Sequence, residues 1–196
     1  MEITPRQQDV VNAAIKIIAE KGYQELTTKH IAEVVGVSEA ALYRHFENKL
    51  DIIHKILDYF SEVTTAISEK IKAEAKSPIE QIKAFVLNRY SLFIEKPDLA
   101  KVMFSEEIFH NDRSLAEHNL SIMHSHRNQL VEAIEKAQKE QTLRDDIEAI
   151  QLFRIIIGSM RLLVTQWQLC GFAFSLKDEG EELWNSIYKM IIKESK

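Results

Sequence analysis

Cysteine is almost missing from this chain: Cys170 stands alone among 196 residues. A single thiol closes no internal disulfide, and no paired Cys motif exists to hold zinc. With no secretory leader at its start, the sequence fits a reducing cytoplasm. Proline and glycine are also scarce, at three and five residues, which disfavours long interrupting loops and favours helices. No long apolar run is present. The longest uncharged stretch, Leu162 to Leu176, has 15 residues and contains Gln166, Gln168 and Gly171. A bilayer crossing needs about 20, so a buried helix end is expected here and no membrane partner. Positive charge is not in excess either: 25 Lys and Arg face 30 Asp and Glu, for a net charge of −5. The whole surface therefore does not advertise nucleic-acid binding, and any basic site must be local. No GxSxG elbow, phosphate loop or HExxH helix occurs, so an enzyme is not expected, nor a cofactor.

What the chain does have is helical punctuation. Thr4-Pro5-Arg6-Gln7 reads as a capping box, with Val11, Ala14, Ile15 and Ile18 at helical spacing and Gly22 as the stop. This predicts a first helix over Pro5 to Lys21. A second starts near Thr28 with Ile31, Ala32 and Val35 on one face. A third starts at Ser38 and turns Leu42 and Phe46 inward. Asn48 caps a long fourth helix with an apolar stripe from Leu50 through Ile71. Ser77-Pro78-Ile79-Glu80 opens a fifth, carrying Ile82, Phe85, Val86, Arg89, Tyr90 and Phe93, and Pro97 breaks it. Further helices are expected over about Asp98 to Phe109, from a polar turn at 110–114 to about Gln141, from Asp145 to Gly171, and after Ser175. No alternating strand pattern is visible. The fold class expected is all-α, with about nine helices.

Val35 to Phe46 holds the most specific pattern. Two helices joined through Gly36 and capped at Ser38 form a helix-turn-helix. Gly36 takes positive φ without steric cost, Val37 fills the corner, and Ser38 caps the helix whose leading residues can face a major groove. An ordinary helical hairpin would share this geometry. The flanks narrow it: "TTKHIAEVVGVSEAALYRHFENKLDII" resembles the DNA-binding segment of the TetR family of bacterial regulators over roughly Val10 to Phe60. Within it, "SEAALYRHF" is similar to the branch holding the nucleoid-occlusion regulator of cell division.

The resemblance implies roles residue by residue. Thr27 or Thr28 would bind phosphate oxygens at the mouth of the second helix, Tyr43 would donate its hydroxyl to phosphate, and Lys49 would set its charge on the backbone. Such contacts fix register without reading sequence. Lys29, Ser38, Glu39, Ala41, Arg44 and His45 would lie nearest base edges or the flanking backbone. Ala40 stands where the family often has glycine. Tyr43 and His45 also fit as boundary residues covering Leu42 and Phe46. The head is not basic: residues 1–50 hold six Lys and Arg against seven Asp and Glu. One head alone should bind poorly, so two heads on a homodimer, on a palindromic operator of double-stranded DNA, are expected.

The domain boundary is placed at 48/49, with a helical regulatory and dimerisation body over 49–196. Ile156, Gly158, Ser159 and Leu163, with Trp184, Tyr188 and Ile191, are candidates for a dimer face. Large apolar groups (Phe60, Phe85, Tyr90, Phe93, Met103, Phe104, Phe109, Met123 and Trp167) suggest a cavity, with Arg89, His124, Arg127 and Gln166 as polar anchors for a small apolar or amphipathic effector. Plain core packing accounts equally for any one of them. His118, His124 and His126 do not share a helical face, so no metal site is expected, and Cys170 reads as a small buried residue. The function expected is a homodimeric transcriptional regulator, most simply a repressor. The alternative is a DNA-localised protein of the nucleoid-occlusion type that grips a division protein.

Overall fold

The structure, a computed structural model, describes residues 4–110 and 112–193. Among these, every regular element is helical, and the sole strand-like feature is an isolated bridge between Leu143 and Ile192. The chain belongs to the all-α class expected for it.

The first helix, α1 (Pro5–Lys21), starts at the expected box: the Gln7 amide donates to Thr4 Oγ1 and the Thr4 amide to Gln7 Oε1. Gly22, at φ 90°, ends it. A 3-10 turn (Tyr23–Glu25) leads to α2 (Thr28–Val35) and the one-turn α3 (Glu39–Leu42). Helix α4 (Lys49–Glu74) opens with two side-chain caps. The Asp51 amide donates to Asn48 Oδ1 at 3.1 Å, and the Asp51 carboxylate accepts from the Glu47 amide at 3.3 Å. Helix α5 (Pro78–Glu95) is capped by Ser77 Oγ, which accepts from the Glu80 amide.

Three sequence expectations change. The helix expected over Asp98 to Phe109 is two, α6 (Pro97–Met103) and α7 (Glu106–His110). The amides of Phe104 and Ser105 bond back to Ala100 and Val102, closing α6, and Glu106 and Glu107 supply acidic first-turn residues for α7. Helix α8 (Arg113–Lys139) then runs long, opened by the Asp112 carboxylate, which accepts from the amides of Ser114 and Leu115. The next helix, α9 (Ala149–Leu169), does not begin at Asp145. Asp145 and Asp146 are drawn instead into ion pairs with Lys193 and Arg144, and the Gln138 side chain donates to the carbonyls of Arg144 and Ile147, holding 140–148 as a turn. Helix α10 (Leu176–Ile191) starts at the expected Ser175 cap.

The third change is at Cys170, which is exposed rather than buried, because α9 ends at Leu169 and carries the thiol out beyond the core. By length and composition α9 is apolar enough to cross a membrane. It nonetheless carries Arg154 and Arg161, and buries one row, Leu152, Ile156, Met160 and Val164.

The chain divides into two compact units. Met1–Thr64 with Lys96–Ile122 form the first, and Thr65–Glu95 with Met123–Lys196 the second. In the first, Val11, Ala14, Leu26, Ile31, Leu42, Ile52, Ile53, Leu99 and Ile108 make the core. In the second, Ile82, Phe93, Leu152, Ile156, Trp184 and Ile191 are buried. Ile156, Trp184 and Ile191 are therefore intramolecular core rather than dimer face. Gly180 permits the close approach of α10 to α5: a Cβ there would lie 2.5 Å from the Tyr90 ring.

Candidate nucleic-acid interface

The turn is built as the residues demand. Gly36 sits at φ 73° and ψ 40°, a left-handed cap disfavoured for residues with a Cβ. The Val37 amide bonds back to Ala32 at 2.9 Å. Ser38 Oγ accepts from the Ala41 amide at 3.2 Å and starts α3. Only one regular turn follows; the chain continues as turns, with the amides of His45 and Phe46 bonding to the Leu42 carbonyl. So short a helix carries little macrodipole. Leu42 and Phe46, each 2% exposed, plug the head from beneath.

The residues that the resemblance assigns to DNA all lie outside that core. Thr27, Lys29, Ser38, Glu39, Ala40, Tyr43, Arg44 and His45 are exposed, and Thr28, Ala41 and Lys49 are half-buried. Tyr43 is 51% exposed. Thr27 Oγ1 caps α2 by accepting from the His30 amide at 3.1 Å, so Thr28 has the freer hydroxyl for an outside partner.

That hydroxyl is engaged in a short relay. Thr28 Oγ1 lies 3.1 Å from Glu39 Oε2 and 3.2 Å from Tyr43 Oη. An ionised carboxylate only accepts, so Thr28 donates to Glu39 and Tyr43 donates to Thr28. Glu39 thus holds the Thr28 hydroxyl, and Thr28 in turn holds the Tyr43 hydroxyl. Lys49 is likewise engaged: Nζ donates to the Tyr23 carbonyl at 2.8 Å and sits 3.7 Å from the Tyr23 ring centroid. Burial pushes the Lys49 ammonium down, with Glu107 opposing, and burial, Asp112 and Glu107 push the Tyr23 phenol up.

Sequence reasoning missed Lys21 and His30. Lys21 Nζ lies 3.3 Å from His30 Nε2, and His30 Nδ1 lies 3.2 Å from the Glu25 carbonyl. The contact holds the Lys21 side chain beside α2. A lysine just before a helix-ending glycine was the available signal.

The effector candidates are only partly brought together. In the first unit Phe60 and Met103 are buried and Phe104 half-buried. In the second, Phe85, Arg89, Tyr90, Phe93 and Trp167 are buried. Met123, His124 and Gln166 are exposed instead, and Arg127 bonds to the Asn128 side chain. His126, not His124, turns inward: its ring meets Phe85 edge-on, with centroids 6.1 Å apart. Burial and then Arg89 push His126 down to about 3. Burial alone lowers Arg89 to about 10. A cavity of about 310 Å³ lies among α4, α5 and α8, lined by Ile71, Gln81, Phe85, Gln129 and Leu130 among others. Gln129 Oε1 is buried without a hydrogen-bond partner among the described residues. His118, His124 and His126 end in three separate surroundings.

Residues 10–56 match the bacterial regulatory proteins of the TetR family, and residues 54–194 match the C-terminal region of YsiA-like proteins. The chain belongs to the TetR family. Among curated relatives of this TetR-family chain, the nucleoid occlusion factor SlmA of Vibrio campbellii is 30% identical over 193 residues, covering 92% of this chain and 93% of that protein. An uncharacterised HTH-type transcriptional regulator, YvkB of Bacillus subtilis, is 29% identical over 108 residues, 55% of this chain and 56% of that one. Among solved structures, the fatty acid degradation regulator FadR of Bacillus halodurans shares the fold at a TM-score of 0.84 and 20% identity, over 96% of this chain and 97% of that one. FadR of Bacillus subtilis, solved with stearoyl-CoA, does so at 0.80 and 22%, over 93% and 96%. TetR-family regulators are DNA-binding proteins and not enzymes, and this chain is one of them.

Proposed function

We propose that the protein is a cytoplasmic, homodimeric repressor that reads a palindromic operator with two heads and is released by a small apolar or amphipathic effector. An apolar row on α9 carries the reading. Ile155, Leu162 and Leu169 are 42%, 60% and 83% exposed, and with Gly158 they recur at the spacing of a helix seam. Met190 on α10 adds another exposed apolar group, at 58%. Of the α9 residues expected at a dimer face, Gly158 lies in this row, Ser159 and Leu163 are half-buried beside it, and Ile156 is buried. Exposed apolar surface of this kind marks an association face, and pairing supplies the second head that weakly charged single heads need.

Within each head, residues 1–48 do the reading. Ser38, Glu39, Ala40, Ala41, Arg44 and His45 would enter a major groove, with half-sites about 34–36 Å apart. Thr27, Thr28, Lys29, Tyr43 and Lys49 would hold the backbone, Thr28 on leaving Glu39 and Lys49 on leaving Tyr23. The cavity beside Phe85 and Gln129 supports an effector site in the body, 49–196. Its size, about 310 Å³, is at the small end for ligand pockets. The stearoyl-CoA bound by a structural neighbour makes a long-chain acyl thioester the first compound to try. Selection of bound DNA from a random library is the test. A symmetric site recovered by a dimer supports the reading; a monomer on single half-sites overturns it. Tyr43→Phe with Lys49→Ala should weaken all selected sites alike, whereas changes at Ala41 should alter which sequence is preferred.

The similarity to SlmA across nearly the whole chain favours a second reading, in which bound DNA localises a surface that grips a division protein. Deletion that disturbs septum placement with little change in transcription would establish it.

A further inference from the structure

The cavity among α4, α5 and α8 lies wholly within the second unit, and its lining leans one way. Its apolar part is Ile71, Phe85 and Leu130, one from each helix and all buried. Its volume, about 310 Å³, suits a short tail against these three rather than a long chain.

The polar part is short of donors. Gln129 Oε1 is a lining atom of α8, buried with no hydrogen-bond partner among the described residues. A carbonyl oxygen only accepts, and leaving one buried and unpaired is costly, so this wall calls for a donor. Of the charged lining residues two are acidic, Glu69 and Glu132, and one is basic, Lys72. All three are exposed and form the rim.

Lys72 is already turned toward one of the two acids. Its Nζ lies 3.7 Å from Glu132 Oε1, an ion pair from α4 to α8 with both side chains largely in solvent. Exposed pairs of this kind are weak, so Glu132 can exchange its partner readily.

Gln129 and Glu132 are three residues apart on α8 and therefore neighbours on one helical face. A primary ammonium carries three N–H donors and no acceptor, so it can serve both groups at once. We propose that this cavity takes a small primary amine with an apolar tail. Its ammonium donates to Gln129 Oε1 and to the Glu132 carboxylate, displacing Lys72, and its tail rests on Ile71, Phe85 and Leu130.

The remaining charge nearby sets the direction of such a ligand. Arg89 is buried and does not line the cavity, but its guanidinium lies 5.2 Å from the Phe85 ring centroid. Like charges repel, so the ammonium is driven from the Phe85 side toward α8 and the tail takes the Phe85 side. A carboxylate drawn to Arg89 meets Glu69 and Glu132 at the rim and finds no donor in Gln129 Oε1.

That the amine acts as the effector rests on the effector reading above; that it binds in this cavity does not. The test uses the full-length protein and four probes that share one tail: hexylamine, hexyltrimethylammonium, hexanol and hexanoate, with binding followed by calorimetry. Hexylamine should bind about tenfold or more tighter than the other three, because it alone brings both the charge and the N–H donors. Gln129→Leu and Glu132→Gln should each weaken hexylamine by about three- to tenfold, and Lys72→Met should tighten it. Gln129→Leu should not weaken hexyltrimethylammonium, which has no N–H to lose. Hexanoate or hexanol binding as tightly as hexylamine would overturn the inference and leave the effector reading standing. Equal binding of hexyltrimethylammonium would overturn the hydrogen-bond assignment, and so the inference. No hexylamine binding, with stearoyl-CoA bound, would do the same. Hexylamine that binds as described but leaves DNA affinity unchanged would count against the effector reading alone. If a variant fails to fold, the ranking of the four probes on wild type decides.

Discussion

The head and the body, on the function proposed above, face different recognition problems with different residues. In the head, Ser38, Tyr43, Arg44 and His45 stand exposed over a plug of Leu42 and Phe46, and their neighbours are tied by short polar bonds such as Thr28 to Glu39. In the body, Phe85 lines a cavity, Arg89 is buried beside it, and Ile155, Leu162 and Leu169 on α9 are exposed apolar groups. A groove of fixed geometry demands particular donors at particular places. A cavity demands volume and a few anchors, which many side-chain sets supply. The first kind of demand leaves a sharp mark in sequence, the second a blurred one.

The largest test of this contrast asks whether the head depends on the body. Leu162→Glu on the exposed α9 row should yield a monomer by light scattering and lower DNA affinity by about 100-fold or more, the loss expected when two linked sites become one. Unchanged binding by the monomer would mean that the head needs no partner. Next, Gly180→Ala should destabilise the body by about 1–3 kcal/mol, since the added methyl meets the Tyr90 ring at 2.5 Å. A melting temperature equal to wild type would show that the α5–α10 approach is loose.

Acid should also strike the body. His126, pushed down to about 3, stays neutral in the fold but takes a proton when unfolded below its ordinary value of about 6.5. Its contribution is therefore full above that value and is lost as pH falls toward 3, at up to about 1.4 kcal/mol per pH unit. Denaturant melts of His126→Phe should show a flatter acid limb than wild type. The smallest effect belongs to the head: Glu39→Gln should raise affinity for non-specific duplex by roughly two- to ten-fold, because a weaker acceptor competes with phosphate for Thr28 and Tyr43. Weaker binding instead would mean that Glu39 orders these hydroxyls rather than occupying them.

How far the fold could be read ahead follows from what fixes each residue. Thr4, Asn48, Ser77 and Ser175 cap their helices as their spacing foretold, because a cap is settled within four residues. Gly36, Leu42 and Phe46 foretold the head for the same reason: the turn is local. The failures are tertiary. His124 was expected inside and His126 is, since the inward face of α8 is chosen by Phe85 on another helix. Ile156 was expected at a dimer face and Ile155 is exposed instead, a shift of one residue on an apolar helix whose sequence permits both. Asp145 looked like a helix start until Lys193, 48 residues away, claimed it. The contact between His54 and His118, 64 residues apart, left no periodic trace at all.

The chain's last described residues are stitched onto the α8–α9 turn. The Arg144 amide donates to the Ile191 carbonyl, the Lys193 amide to the Thr142 carbonyl, and the Lys193 side chain reaches Gln141 and Asp145. The hairpin of α9 and α10 is thus closed like a clasped buckle within one chain. In the proposed dimer, little freedom would be left to freeze when two such hairpins meet, so the encounter should be quick and its product long-lived.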